Sequence, residues 1–306
     1  GYDVLLSNRI FDSLLFWKYD ILFSYFYRYS FFAALLAKCF GKKTYFTGGI
    51  DSLDSDYASA FNYKIQALFF KLCYWVADSC IIVSQSDLKN IFKVSSLKKK
   101  LSYSEHVINT KLFIADVPKE KIFTSIVWMG DEGNVVRKGV DKALQIFAEL
   151  KKIPEFVDYR FVIIGRKGEG EVLVRSIIDK YNLKGSVELK GEVSEEDKIN
   201  LLKQSKYYFQ LSLYEGFGLA ALEALCANNI IIHSGKGGLA NPIYKEQLLF
   251  DIDNDFDSEL LKLVNKLACF TPITSYDNLL EYYDIQRRKD DFEAIIVNGK
   301  SNYKLK

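Results

Sequence analysis

The sequence is poor in histidine. With only His106 and His233 among 306 residues, a three-histidine zinc centre or a histidine-centred catalytic triad has little to be built from. Its five cysteines (Cys39, Cys73, Cys80, Cys226 and Cys269) are odd in number, scattered and without zinc-type spacing. Each sits among apolar neighbours, which predicts buried free thiols in a reducing compartment and argues against a disulfide framework. Neither charge sign dominates: 41 Lys and Arg face 39 Asp and Glu, for a net charge of +2, so broad nucleic-acid binding has no electrostatic basis. No stretch reads as a signal peptide. The one long aromatic-rich segment, Asp20 to Phe40, carries Arg28 at its middle and serines around it, and falls short of the roughly 20 apolar residues a membrane span needs. It predicts a buried strand followed by a covered helix, and leaves a peripheral membrane contact of this half open.

What is present is a globular composition, 49% hydrophobic and 26% charged, with a repeated strand–helix rhythm. Tyr2–Ser7, Tyr19–Ser24 and Lys42–Gly49 read as strands, Ala60–Ala77 as a helix, and Ser79–Phe92 as a strand leading into a serine-capped helix. The charged stretch from Lys93 to Phe113 reads as a connector, with Lys98, Lys99 and Lys100 on a solvated face. A second series opens near Lys121. Strands at 121–130, 159–165, 186–191, 206–213 and 229–234 alternate with helices, one of them carrying Ser194 as cap and Asp197 three residues on. Strands interleaved with helices imply parallel sheets covered on both faces, so the reading is α/β, with two doubly wound domains. The expected divisions are 1–120, 121–270 and a helical tail, 271–306, packing back on the first domain. Ligands of such sheets bind at the carboxyl ends of the strands, beside helix N-termini.

The stretch LYEGFGLAALEAL, Leu213 to Leu225, falls at such a strand end. Gly216 and Gly218 let backbone approach a ligand, and the first amides of the helix that follows favour an anion. Glu215 and Glu223 supply carboxylates able to accept paired hydroxyls, as on a sugar or ribose. The residues alone leave two readings level: a phosphate-and-hydroxyl site, or a glycine-rich helix entry with two exposed glutamates. Arg137 and Lys138, before Gly139 at a helix start, suit a diphosphate or are two ordinary surface cations. Phe161–Gly170 ends a strand in G-x-x-G-x-G, not the spacing of a dinucleotide fingerprint. The acidic run Asp251–Asp257 lacks the glycine and terminal glutamate of a calcium loop and reads as a polar loop.

The Ser212–Ala224 pattern resembles the E-x7-E signature of retaining GT-B glycosyltransferases of the group 1, family-four type; Ser212, Glu215, Gly216, Phe217, Gly218, Glu223 and Ala224 match it. Looser similarity runs from about Tyr19 to Ile252. The resemblance implies the GT-B architecture, two Rossmann-like domains facing a cleft. It gives Glu215 to the donor sugar, Glu223 to the ribose, and the amides around Phe217, Gly218 and Leu219 to sugar and phosphates. It places Gly165 and Val193 beside the base, and Lys138, with Arg137, at the diphosphate. Where this family carries Gly-Arg after the preceding strand, this sequence has Gly130-Asp131. Where it carries a histidine near the donor sugar, Thr47 or Gly48 stands, with Gly49 next, on the acceptor side. The loop Ser234–Gly238 resembles a family loop, with Ala240 or Asn241 where a glutamate is usual.

The implied activity is metal-independent retaining hexosyl transfer (EC 2.4) from a nucleotide-diphospho-sugar, with UDP-sugar favoured and no cofactor. The acceptor would be a glycan, lipid-linked or other hydroxyl, in polysaccharide biosynthesis, and the setting the cytoplasm, at the inner face of the membrane. The opening GYDVLLSN resembles a later strand of the family's first domain, so a first domain shortened at its N-terminus is expected. A partner protein completing it is a further expectation. The alternative is a non-catalytic glycosyltransferase-like subunit that binds a nucleotide sugar or stabilises a partner enzyme.

Overall fold

The computed structural model describes residues 15–25, 27–48, 53–54, 58–94, 98–115, 117–270 and 276–299. The expected strand Tyr2–Ser7 and Gly49 lie outside them. The chain divides into two units, one of residues up to His106 together with Gln286 onward, the other Val107–Ile285.

The first unit is a four-stranded parallel sheet in the order β1 (Ile21–Tyr25), β2 (Lys43–Thr47), β3 (Ser79–Ile82), β4 (Leu101–Tyr103). The connections α1 (Tyr27–Cys39), α2 (Ala60–Val76) and α3 (Gln85–Val94) carry the chain from strand to strand. Alternate strand residues face opposite ways. Phe46, Cys80 and Ile82 pack with Tyr27, Phe31, Phe70 and Ile91 of the connecting helices. Tyr45 and Ile81 pack instead with Phe292 and Ile295 of α11 (Ile285–Asn298). The caps follow the sequence: Ser84 Oγ accepts the Asp87 amide at 3.1 Å and Ser59 Oγ the Asn62 amide at 3.3 Å. Two expectations are corrected here. The connector from Lys93 contains β4, because Leu101, Ser102 and Tyr103 are buried and pair with β3; three residues are too short a run to show periodicity. And α1 is not covered all round, since Tyr29 and Phe32 are exposed.

The second unit is a six-stranded parallel sheet in the order β10-β9-β8-β5-β6-β7. Its strands are β5 (Glu120–Ile126), β6 (Arg160–Ile164), β7 (Val187–Gly191), β8 (Ser205–Gln210), β9 (Ile230–His233) and β10 (Leu248–Leu249). The helices are α4 (Glu132–Arg137), α5 (Val140–Leu150), α6 (Glu171–Lys180), α7 (Glu195–Gln204), α8 (Leu219–Cys226), α9 (Phe256–Cys269) and α10 (Tyr276–Tyr282). One face buries Phe123, Phe161, Tyr207 and Phe209 against Leu144 and Phe147 of α5 and Leu263 of α9. The other buries Tyr208 and Ile231 against Leu222 and Leu225 of α8. The winding reverses between β5 and β8, neighbours in the sheet but far apart in sequence, and this is the switch point at which open α/β sheets leave a crevice.

Two polar groups, Lys119 half-buried and His233 buried, tie the second unit together. Lys119 Nζ donates to the carbonyls of Leu202 (3.3 Å), Lys203 (2.8 Å) and Ala227 (2.5 Å), capping the C-terminal ends of α7 and α8 with one cation. His233, buried at the end of β9, accepts the Gly235 amide at Nδ1 (3.2 Å) and lies 3.1 Å from the Tyr244 carbonyl at Nε2, which assigns the proton to Nε2. Burial lowers this imidazole from 6.5 to about 4. The unfolded chain therefore binds more protons than the folded one between those values, and stability falls as pH falls through that window. The unfolding free energy of the wild-type chain from urea titration should drop on going from pH 7 to pH 4 by up to about 3 kcal/mol more than that of His233→Gln, which has no proton to take up there. Parallel pH profiles for the two proteins would contradict the assignment.

Of the five thiols, Cys73, Cys80 and Cys226 are buried as expected, whereas Cys39 and Cys269 are exposed because each closes the last turn of its helix. Among the described residues no helix is long and apolar enough to cross a membrane. The acidic loop is satisfied locally: Asp251 accepts from the Asp253 amide (3.1 Å) and Asn254 Nδ2 (3.1 Å), Asp253 pairs with Lys236, and Asp255 caps α9.

Candidate functional site

The carboxyl ends of β5, β6, β8 and β9 feed loops that are bonded to one another. Met129 N donates to Arg166 O at 2.9 Å and Gly170 N to Met129 O at 3.2 Å, joining the loops after β5 and β6. Leu213 N donates to Arg137 O at 2.8 Å, joining those after β5 and β8. Ser234 Oγ donates to Ser212 O and Gly238 N to Glu215 O, both at 2.6 Å, joining those after β8 and β9.

Asp131, which replaces the arginine expected after β5, has a local task. Its carboxylate accepts the Asn134 amide at 2.7 Å and caps α4, a helix the sequence reading missed by starting the helix at Gly139. Two nearby glycines, Gly130 and Gly133, hide that helix from propensity. Gly139 then takes φ 68° and hands the chain to α5, and a Cβ there would lie 2.0 Å from the Leu211 carbonyl oxygen. The two turns are thus pressed together, and Lys138 is delivered onto Glu215.

Glu215 is the hub. Its Oε1 accepts from Lys138 Nζ, from Gln210 Nε2 at 2.9 Å and from Ser212 Oγ at 2.9 Å. Its side chain is only 12% exposed and that of Lys138 22%. All three donors fall on one oxygen, and Oε2 has no hydrogen bond among the described residues. Such a carboxylate has a fixed orientation and a free acceptor edge. Lys138 likewise has one acceptor among the described residues, leaving two of its three hydrogens unengaged. Gln210 was not singled out from the sequence; a glutamine inside the buried run Tyr207-Tyr208-Phe209-Gln210-Leu211 was the signal.

Glu223 lies one and a half turns into α8. Lys198 of α7 donates to its Oε1 at 2.9 Å and is also paired with Glu195 at 2.7 Å. Burial raises the Glu223 carboxyl above its usual range, and Lys198 opposes this without cancelling it. Lys198 is separated from Glu223 by 25 residues and nothing in its local sequence marks it. Arg137 is partly buried and does not reach Glu215: its Nη2 and Nε donate to Asn134 Oδ1 at 2.6 and 3.2 Å.

Phe217 is buried, so only its backbone faces the loop; Leu219 is exposed at the first turn of α8. Gly216 is half-buried between Glu215 and Phe217. The amides of Leu219, Ala220 and Ala221 precede the first intrahelical bond, Leu222 N to Gly218 O at 3.0 Å. Gly165 donates to Gly191 O at 2.8 Å, and Val193, half-buried, packs with Ile122, Val162, Ile164 and Leu201. Asn241, in the loop after β9, accepts the Ile243 amide at 3.1 Å, while Ala240 is exposed. In the first unit Thr47 and Gly48 are buried at the end of β2, and Arg288 Nη2 lies 3.5 Å from Thr47 Oγ1. At α7 Ser194 is the cap, as expected: its Oγ accepts the Asp197 amide at 3.0 Å and donates to the Asp197 carboxylate at 2.6 Å. Among the described residues no group of three or more His, Cys, Asp or Glu could hold a metal ion.

Two parallel-sheet α/β units, the second with its polar side chains gathered at a switch point, match the GT-B fold. Among solved structures the chain is similar to sucrose-phosphate synthase from Thermosynechococcus elongatus, with a TM-score of 0.74 and 19% identity over 92% of this chain and 74% of that one. It is similar also to HepE from Anabaena in complex with UDP, with a TM-score of 0.74 and 13% identity over 94% of this chain and 80% of that one. Residues 133–268, all within the second unit, match the family described as Glycosyl transferases group 1, in keeping with the resemblance carried by the motif. Among curated relatives, 163 residues are 32% identical to GDP-mannose:cellobiosyl-diphosphopolyprenol alpha-mannosyltransferase of Xanthomonas oryzae pv. oryzae, covering 46% of this chain and 40% of that protein. A further 105-residue match, 30% identical, is to a subunit of human phosphatidylinositol N-acetylglucosaminyltransferase, covering 34% of this chain and 21% of that one. The chain thus spans about half or less of the length of the curated relatives it matches, 40% and 21% of these two.

Proposed function

We propose that the protein is a retaining glycosyltransferase that takes a nucleotide-diphospho-sugar at the β5/β8 switch point of its second unit. The observation that carries this is Glu215, with one carboxylate oxygen held by three donors and the other left to accept. In this reading the free oxygen takes hydroxyls of the donor sugar, and the amides of Gly216 to Leu219 meet sugar and phosphate. Glu223 takes the ribose hydroxyls, and Gly165 and Val193 border the base. The two unengaged hydrogens of Lys138, with Arg137 braced on Asn134, face the diphosphate. The bond from the anomeric carbon to the diphosphate breaks as the acceptor hydroxyl attacks from the same face. The hydroxyl proton passes to the departing phosphate oxygen, and the nucleoside diphosphate leaves. Positive charge fixed beforehand near that oxygen stabilises the transition state more than the ground state. Protein cations meet the diphosphate, so the transfer needs neither metal nor cofactor, and EDTA should leave it unchanged.

The acceptor would be a hydroxyl of a glycan or lipid-linked glycan, and the acceptor side is assigned to Thr47 and Gly48 at the strand end of the first unit, with Gly49 next to them in sequence. The named relatives transfer mannose to a diphosphopolyprenol-linked disaccharide or belong to a phosphatidylinositol N-acetylglucosaminyltransferase, which supports polysaccharide or glycolipid assembly; the cytoplasmic face of a membrane is the setting this reading gives it. A second reading is a protein that binds nucleotide sugar for a partner enzyme, or completes its fold with one. It is favoured by the human relative being one subunit of its transferase.

A thermal-shift screen with UDP, GDP, ADP and their sugars tests donor binding, because a ligand that binds only the folded state raises the melting midpoint. One nucleotide series, with UDP expected, should stabilise the chain, and its sugar form should do so more than the bare nucleotide. No shift with any of the three series would contradict the reading.

A further inference from the structure

The outer face of α2 is built contrary to the usual rule for a helix covering a sheet. Phe61, Lys64, Leu68, Lys71 and Trp75 recur at intervals of three and four, one continuous stripe, and all five are exposed. The three apolar members are 73%, 55% and 70% exposed. The inner face is already filled by Phe70, Cys73, Tyr74 and Val76, so the stripe is not core left uncovered by a local shift. Neither α2 nor α1 contains a single Asp or Glu. Helix α1, in contact with α2 through Phe31 and Phe69, adds exposed Arg28, Tyr29 and Phe32. At the far end of the stripe Lys100 Nζ donates to Trp75 O at 2.9 Å, which brings the Lys98-Lys99-Lys100 turn to the same place.

We propose that the acid-free outer face of α1 and α2 docks on an anionic lipid surface. Aromatic and leucine side chains enter the boundary between headgroups and acyl chains, and lysines between them reach up to lipid phosphates. The charge pattern selects this occupant. A second copy of the chain laid on the same stripe would set Lys64 and Lys71 against their own counterparts, with no acid on either helix to relieve them. A surface of phosphates meets every cation in the stripe with the opposite sign. The peripheral membrane contact left open by the sequence thereby gains a definite place. The proposal rests on the first unit alone, and vesicle binding needs no sugar transfer, so it stands or falls separately from the donor reading.

The test is co-sedimentation of the full chain with vesicles of phosphatidylcholine alone and of phosphatidylcholine mixed with phosphatidylglycerol. The chain should pellet with the mixed vesicles and not with the neutral ones, and high salt should release it. Lys64→Gln with Lys71→Gln should weaken partitioning about thirtyfold. Phe61→Ser with Leu68→Ser and Trp75→Ser should weaken it about tenfold or more. All five side chains are exposed, so both variants should melt with the wild type, and the blue shift of fluorescence on adding mixed vesicles should disappear in Trp75→Phe. The proposal is overturned by equal pelleting with neutral vesicles, by no pelleting with either, or by well-folded variants that pellet like the wild type. It is overturned also if the wild type is a dimer that the triple variant converts to monomer while neither binds vesicles.

Discussion

Glu215→Gln and Lys138→Met should each lower sugar transfer by about 10²–10³-fold while leaving the chain folded. The two losses have different origins. In Glu215→Gln the amide oxygen stays with Lys138, Gln210 and Ser212, because all three are donors. That turns the amide NH2 to where Oε2 stood, and a donor there cannot accept a sugar hydroxyl. Lys138→Met removes the cation nearest the proposed diphosphate and also leaves a largely buried carboxylate without its counter-charge, which destabilises the second unit. Combining the two substitutions should therefore restore the melting midpoint of Lys138→Met but not its activity. A role confined to stability predicts the reverse, activity returning with the midpoint. Turnover at the wild-type level in both single variants would remove Glu215 and Lys138 from the site.

Gly139→Ala should destabilise the second unit by at least about 3 kcal/mol, far beyond the usual cost of an alanine. Two costs combine. The residue sits at φ 68°, which an L side chain adopts at roughly 1 kcal/mol. The new methyl would also be driven into the Leu211 carbonyl, 2.0 Å away, so the loops after β5 and β8 must separate. Gly185 isolates the first cost: it has φ 85° and nothing within 4 Å of an added Cβ, so Gly185→Ala should lose only about 1 kcal/mol. Urea unfolding of the three proteins measures both. Because Lys138 precedes Gly139, separating the loops would also pull the ammonium from Glu215, and residual transfer should fall together with stability. Equal midpoints for Gly139→Ala and Gly185→Ala would show that the close approach is not maintained in solution.

The α/β architecture could be read from the sequence because most of its strands carry apolar residues between turn signals and several of its helices carry their caps beside them. Ser84 and Ser194 do in the structure what serine before an apolar run suggests. The motif from Ser212 to Ala224 was legible for another reason: its residue types recur at fixed spacing, and its strand and helix are unambiguous. What escaped was whatever depends on contacts between distant segments. β4 is a strand only because β3 lies beside it. α4 is a short helix with a glycine and two valines, held by one aspartate cap. Gln210 and Lys198 complete the surroundings of Glu215 and Glu223 from elements whose local sequence says nothing about carboxylates. The exposed stripe on α2 was hidden in the opposite sense, since a pattern of apolar residues at helical spacing reads as core until the structure shows which side the sheet occupies.

The central claim is that Glu215 and Glu223 address different parts of one ligand. Calorimetric titration of the wild type, Glu215→Gln and Glu223→Gln with a nucleoside diphosphate and with its sugar tests it directly. The account predicts that Glu223→Gln weakens both ligands, while Glu215→Gln leaves the bare nucleotide unchanged and abolishes the extra affinity given by the sugar. Equal weakening of both ligands by both substitutions, or no binding by the wild type, would contradict it.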